Sequence, residues 1–124
     1  MKFTIPGRPI TKKNSQVIGF NKKTGKLFIT QSKQYKAYEE AAGYYIPYKW
    51  QMIDTPVNIK CVYYMPTRGK VDLTNLLEAT DDILVHYGVI KDDNSTILVS
   101  HDESRVFYDK ENPRVEIDIT EATP

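Results

Sequence analysis

The sequence predicts an α+β fold: a single small domain, residues 1–124, with a mixed β-sheet and two main α-helices packed on it. Three observations carry this reading. At 124 residues the chain is long enough for one hydrophobic core without disulfides and too short for two. Two stretches, about 32–46 and 73–87, space apolar residues at helical period between a capping residue and a stop signal. Residues 57–65 and 115–119 alternate apolar and polar side chains instead, the period of a strand with one face on a core.

Lys2 to Ile5 reads as a short first strand, ended by the breaker cluster Pro6-Gly7-Arg8-Pro9. Val17 to Phe20 and Leu27 to Thr30 flank Asn21-Lys22-Lys23-Thr24-Gly25, the signature of a hairpin with a basic five-residue loop. Ser32 is the N-cap of a helix running to about Ile46, where Pro47 stops it. Tyr35, Tyr38, Ala42 and Tyr45 share one side of that helix, more as packing than as a base-stacking stripe. Val57, Ile59, Cys61, Tyr63 and Met65 form the inward face of a strand that Pro66 ends, and Thr67-Arg68-Gly69-Lys70-Val71 is a basic loop. Asp72 caps the helix from about 73 to 87, whose apolar arc is Leu73, Leu76, Leu77, Thr80, Ile83, Leu84 and Tyr87; Gly88 supplies the left-handed residue at its end. Thr96 to Ser100 and Arg105 to Tyr108 follow as strands, 109–113 as a turn, and Val115, Ile117 and Ile119 mark a last alternating strand.

The net charge of +1 conceals a segregation. Residues 1–50 carry nine Lys and one Arg against Glu39 and Glu40, giving +8, while residues 51–124 carry seven basic and fourteen acidic groups, giving −7. Lys12 and Lys13 stand next to Asn14 and Ser15, side chains suited to phosphates and base edges, so this half points to a polyanion as partner. Lysines also serve simply to keep a surface soluble, and the charge alone does not choose between the two. The lone Cys61 lies in an apolar alternating run and is expected to be a buried thiol in a reducing compartment. No stretch is long and apolar enough to span a bilayer and the N-terminus lacks a signal core, which predicts a soluble, cytoplasmic protein. One Cys and two scattered His exclude a zinc cage, and the chain has no Walker loop, dinucleotide fingerprint or nucleophile elbow, so no small-molecule cofactor is expected.

The chemistry is concentrated between Asp72 and Asp93. On a helical wheel Asn75, Glu78 and Asp82 fall within about 60° of one another, an acidic ridge beside the buried arc. Asp81 points about 100° away from Asp82 and is left out of the site on that ground. Asp92-Asp93 follows the helix. Carboxylates gathered in this way hold Mg²⁺, and Mg²⁺ with phosphodiesters implies nuclease or polymerase chemistry, provided the fold returns the chain on itself. The same residues equally make an N-cap, a solvated helix face and an ordinary Asp-Asp-Asn-Ser turn, and the pattern by itself leaves both readings open.

The ordered set Pro6-Gly7-Arg8-Pro9, Lys12-Lys13-Asn14-Ser15, Ser32-Lys33-Gln34-Tyr35, Asp72-Leu73-Thr74-Asn75-Leu76, Asp82, Gly88 and Asp92-Asp93-Asn94-Ser95 resembles the RusA family of Holliday junction resolvases of bacteria, phages and prophages. The resemblance implies a homodimeric, Mg²⁺-dependent endonuclease, with Mn²⁺ as a substitute, that acts in DNA recombination and repair. Its substrate would be four-way or other branched DNA, cut by paired symmetric nicks. It implies catalytic roles for Asp72, Asp82, Asp93, Asn75 and Glu78, metal contacts from Asp72, Asp92, Asp93 and Glu78, and DNA contacts from Lys12, Lys13, Asn14, Ser15, Arg68 and Lys70. Two positions depart from the family's Asp-x-Asp-Asn and its following Lys. Thr74 replaces the second Asp and Glu78 the Lys, so Glu78 is expected to restore the lost carboxylate, while the replacement for the Lys is open among Arg68, Lys70, Lys91, Lys12 and Lys13. Rival readings are a nuclease for flaps or duplex DNA, a nucleic-acid-binding protein with a degraded active site, and an interaction domain whose acidic helix binds a protein.

Overall fold

The computed structural model describes residues 1–12 and 16–123. Within them the order of elements is β1 (Lys2–Pro6), β2 (Gln16–Asn21), β3 (Lys26–Gln31), α1 (Lys33–Ala42), β4 (Val57–Met65), α2 (Leu73–His86), β5 (Leu98–Ser100), β6 (Arg105–Tyr108) and β7 (Arg114–Glu121). The α+β expectation holds: one mixed sheet, two helices and a separate β2–β3 hairpin.

Strict alternation makes β4 the spine of the sheet. Val57, Ile59, Cys61, Tyr63 and Met65 are buried on one face, and the residues between them stay half-exposed on the other. β7 runs antiparallel beside it, with Val115, Ile117 and Ile119 turned to the same core, and β1 pairs with the far side of β7. The other edge of β4 is shared in series by β5, opposite Val57–Asn58, and β6, opposite Val62–Met65, both parallel to it. Leu76, Ile83 and Leu84 of α2 close the core together with Ala42 and Ile46. The opposite face stays open and carries Tyr64 stacked on Phe107, with the Arg114 guanidinium over the Tyr64 ring.

Two boundaries differ from expectation. α1 stops at Ala42 and tightens into a single 3₁₀ turn, Gly43–Tyr45, instead of running to Ile46. Tyr87 crosses there: a Cβ on Gly43 would fall 2.6 Å from its ring, and its hydroxyl donates to the Glu39 carbonyl at 2.7 Å. Lys49 Nζ donates to the Gly43 carbonyl at 2.7 Å, satisfying one of the acceptors a helix end exposes. β5 begins at Leu98 and not at Thr96, because Asn94 Oδ1 accepts the Thr96 N–H at 3.0 Å and curls residues 94–97 into a turn.

α2 matches its signals closely. Asp72 Oδ1 accepts the Thr74 N–H at 2.9 Å, and Gly88, at φ +63°, reverses the chain after His86. The released segment lies against 50–53: Met52 N–H donates to Gly88 O, Ile53 N–H to Val89 O and Lys91 N–H to Ile53 O. That return carries Asp92 and Asp93 back toward α2. No helix among the described residues is long and apolar enough to cross a membrane.

Candidate active site

The returning chain sets Asp93 within electrostatic reach of the third turn of α2. Burial raises its pKa, the Asp92 side chain adds to this, and the negative charges of Asp82 and Asp92 push in the same direction. Asp82 is engaged from the other side: Lys12 Nζ donates to its Oδ2 at 2.7 Å, with both side chains about one-third exposed. The lysine comes from the loop after β1. It thus brings positive charge onto the acidic ridge of α2.

Asp81, set aside by the wheel, lies within electrostatic reach of Asp82 and Asp93. It lies on the buried side of α2, where Oδ2 meets His101 Nε2 at 2.9 Å and Oδ1 is buried without a hydrogen-bond partner. His101 Nδ1 donates to the Ile59 carbonyl at 2.7 Å, which fixes the ring. Burial raises the Asp81 pKa; His101 opposes the rise, and the charges of Asp93 and Asp82 reinforce it. Burial also opposes protonation of His101, but the Asp81 hydrogen bond and charge and the Ile59 carbonyl outweigh it, so His101 is raised as well. Both shifts favour a proton held between the two residues. The sequence did carry a signal for this pair: an Asp four residues after Leu77 and three before Leu84 sits inside the apolar stripe and needs a partner.

The other expected residues are placed as follows. Asp72 is exposed and spends Oδ1 on its own helix. It lies ten residues before Asp82, about 15 Å along the helix axis, so one ion with oxygen ligands near 2.1 Å cannot touch both, and Asp82 cannot assist Asp72 as expected. Asp92 is drawn into the turn, Oδ1 accepting the Asp93 N–H at 2.8 Å and Oδ2 the Asn94 amide at 3.0 Å; these bonds lower its pKa. Glu78 is exposed and Asn75 half-exposed. Glu78 and Asp82 both act on the hydroxyl of Tyr35, a buried side chain whose oxygen has no hydrogen-bond partner and whose pKa is raised, first by burial. Lys13, Asn14 and Ser15 lie outside the described residues.

Arg68 extends over the Tyr108 ring at 4.3 Å, and Lys70 lines a cleft of about 300 Å³ together with Arg8, Thr11, Gln34 and Thr67. Thr11 and Gln34 directly precede Lys12 and Tyr35 in the chain, so this basic cleft runs up to the acidic ridge. Arg8 was not expected here.

Among the described residues no three His, Cys, Asp or Glu side chains gather as a metal cage. Asp82 and Asp93 nevertheless lie within electrostatic reach of each other and of Asp81. An incomplete carboxylate set of this kind fits Mg²⁺, which keeps several waters and takes one or two carboxylates plus phosphate oxygens.

A search among curated proteins gives no significant match. The family model "Endodeoxyribonuclease RusA" matches residues 6–120, from the last residue of β1 into β7, and includes every site residue described above. The chain therefore belongs to the RusA endodeoxyribonuclease family.

Proposed function

We propose that the protein is a structure-selective endonuclease that resolves four-way DNA junctions, acting as a homodimer that makes paired symmetric nicks in recombination and repair, in a phage or prophage setting. The observation that carries this reading is the basic cleft of Arg8, Lys70, Thr67 and Gln34 leading onto the ridge of Asp82 and Asp93. A basic track draws in the phosphate backbone, and acids at its end would repel that backbone unless a cation neutralises them.

Asp93 and Asp82 would hold Mg²⁺, or Mn²⁺ in its place, with the buried Asp81 behind them adding negative charge; Glu78 and Asp72 are further carboxylates along the helix. When bound, the ion supplies charge neutralisation at the phosphate and acidity to water. The chain's own groups do the rest. Lys12, held by Asp82, pairs with a non-bridging phosphate oxygen, the role vacated at position 78. Asp93 accepts the proton of the attacking water as its oxygen bonds to phosphorus and the P–O3′ bond breaks, and the released 3′ oxygen takes a proton from solvent water, so the products carry 5′-phosphate and 3′-hydroxyl ends. The fixed His101 ring holds Asp81 in place.

Labelled four-way junction and matched linear duplex, each with Mg²⁺ or EDTA, test this beside Asp93→Asn. Symmetric nicks on the junction, lost in EDTA and in the variant, are expected. Tight junction binding without cleavage under any divalent metal would instead establish a DNA-binding module, the reading favoured by Thr74 and by the lack of a three-acid cage among the described residues. Cleavage of flaps in preference to junctions would reassign the substrate.

A further inference from the structure

The β2–β3 hairpin forms a two-stranded sheet of its own and exposes large apolar side chains. Ile18, Phe20 and Leu27 are 74, 57 and 71 % exposed. Alternation puts Ile18 and Phe20 on one face, and the register sets Leu27 opposite Phe20, so the three share that face. On the other face Phe28, itself 47 % exposed, lies across Gly19, where its ring takes the space a Cβ would need. The tip is ordered by Asn21, whose Oδ1 accepts the Lys23 and Thr24 N–H groups and whose carbonyl accepts the Gly25 N–H, with Gly25 at φ +69°. Lys22 and Lys23 project from this tip, and Lys26 follows at the start of β3. No acidic residue precedes Glu39 in the chain.

An isolated two-stranded ribbon is marginal in water, and an exposed apolar face on one marks a surface that is covered in use. Two occupants fit an apolar face: a second copy of the chain, or base pairs opened at a DNA branch. Charge decides between them. Two such hairpins face to face would bring together six lysines with no acid on either ribbon to offset them. Lysines beside Phe, Leu and Ile are instead the combination with which proteins hold phosphates while wedging an apolar side chain into a base step.

We propose that this hairpin is a wedge for the branch point of DNA, with Phe20, Leu27 and Ile18 against the end base pairs and Lys22 and Lys23 on the flanking phosphates. The proposal rests on the branched-DNA reading above and assigns junction preference to a surface away from the acidic ridge.

The test uses the full chain in EDTA, with a four-way junction and a matched duplex each carrying 2-aminopurine at the same sequence position, at the branch in the junction. Wild type should raise the fluorescence of the junction probe only. Phe20→Ala/Leu27→Ala should lose that rise and about tenfold of junction affinity while duplex affinity stays within about twofold. Lys22→Gln/Lys23→Gln should weaken both substrates alike and lower the salt dependence by about two counter-ions. All four positions are exposed, and melting curves check that each variant folds. An unchanged fluorescence rise and unchanged junction affinity in the apolar double variant would overturn the wedge, as would a wild-type dimer that this variant turns into a monomer. If the wild type neither binds nor, with Mg²⁺, nicks branched DNA, the parent reading falls as well; nicking with an indifferent hairpin removes only the wedge.

Discussion

Lys12 Nζ and Asp82 Oδ2 stand 2.7 Å apart although seventy positions separate them in the chain. The contact joins the basic half of the sequence to the acidic half at the point where the candidate chemistry lies. Being about one-third exposed on each side, it should contribute no more than about 1 kcal/mol to stability. Lys12→Met should therefore melt within a few degrees of wild type, yet bind junction DNA in EDTA roughly fivefold more weakly. Lys12→Arg should keep most of the affinity. Filter binding beside a melting curve checks both expectations; a large loss of stability with unaltered affinity would make the pair purely structural.

Asp72 joins two possible roles that a pair of variants separates. Asn is as good an N-cap as Asp, so Asp72→Asn should leave the melting temperature unchanged, whereas Asp72→Ala should lose about 1 kcal/mol. If Asp72→Asn still nicks junctions at the wild-type rate, Asp72 is a helix cap and no more. Loss of nicking at unchanged stability assigns it to the chemistry.

The Asp81–His101 pair makes stability depend on pH. A raised His101 pKa means that the fold binds its proton more tightly than the unfolded chain does, so this stabilisation is complete below the ordinary value of 6.5 and is lost as pH rises through the folded value. The raised Asp81 pKa has the same sign, since the fold favours the protonated acid and stability falls as pH climbs from 3.8 through its folded value. Thermal melts should accordingly show a declining melting temperature from about pH 6 to pH 8, and His101→Gln should flatten that decline. A wild-type melting temperature that rises over this range contradicts the assignment.

Gly88 is constrained twice, by its left-handed φ of +63° and by Trp50, whose ring carbon would lie 2.5 Å from an added Cβ. Gly88→Ala should cost about 2 kcal/mol, a drop of about 8 °C in melting temperature. Because Gly88 turns the chain that returns Asp93, nicking should fall by more than the folded fraction does. Differential scanning calorimetry with a nicking assay on the same sample resolves the two.

How much of this was legible in the sequence depended on the range of the interactions involved. β4 could be read from its own residues because burial alternates along a single strand, and α2 because Asp72 and Gly88 are local signals at its ends. The end of α1 could not, since Tyr87, forty-four positions after Gly43, decides it. β5 was placed two residues early because the Asn94 side chain competed with the strand for the Thr96 N–H. At the site, helical angles set Asp81 aside because its angle was measured from Asp82 and not from the apolar stripe it occupies. Lys12 on Asp82 and His101 on Asp81 are tertiary pairings that no spacing encodes.

The outer edge of the sheet is broken between Ser100 and Arg105, where β5 ends and β6 has not begun. Side chains fill the gap along β4: Ser104 Oγ accepts the Cys61 N–H at 2.9 Å, and His101 Nδ1 occupies the Ile59 carbonyl. Each half of the edge is only three or four residues long, and the opposite edge strand ends in Pro6. At the main sheet a foreign strand thus finds no long, regular run of free amides to extend. The same interruption that seats the histidine beside Asp81 thus blunts the edge along which the main sheet of one molecule would extend into that of another.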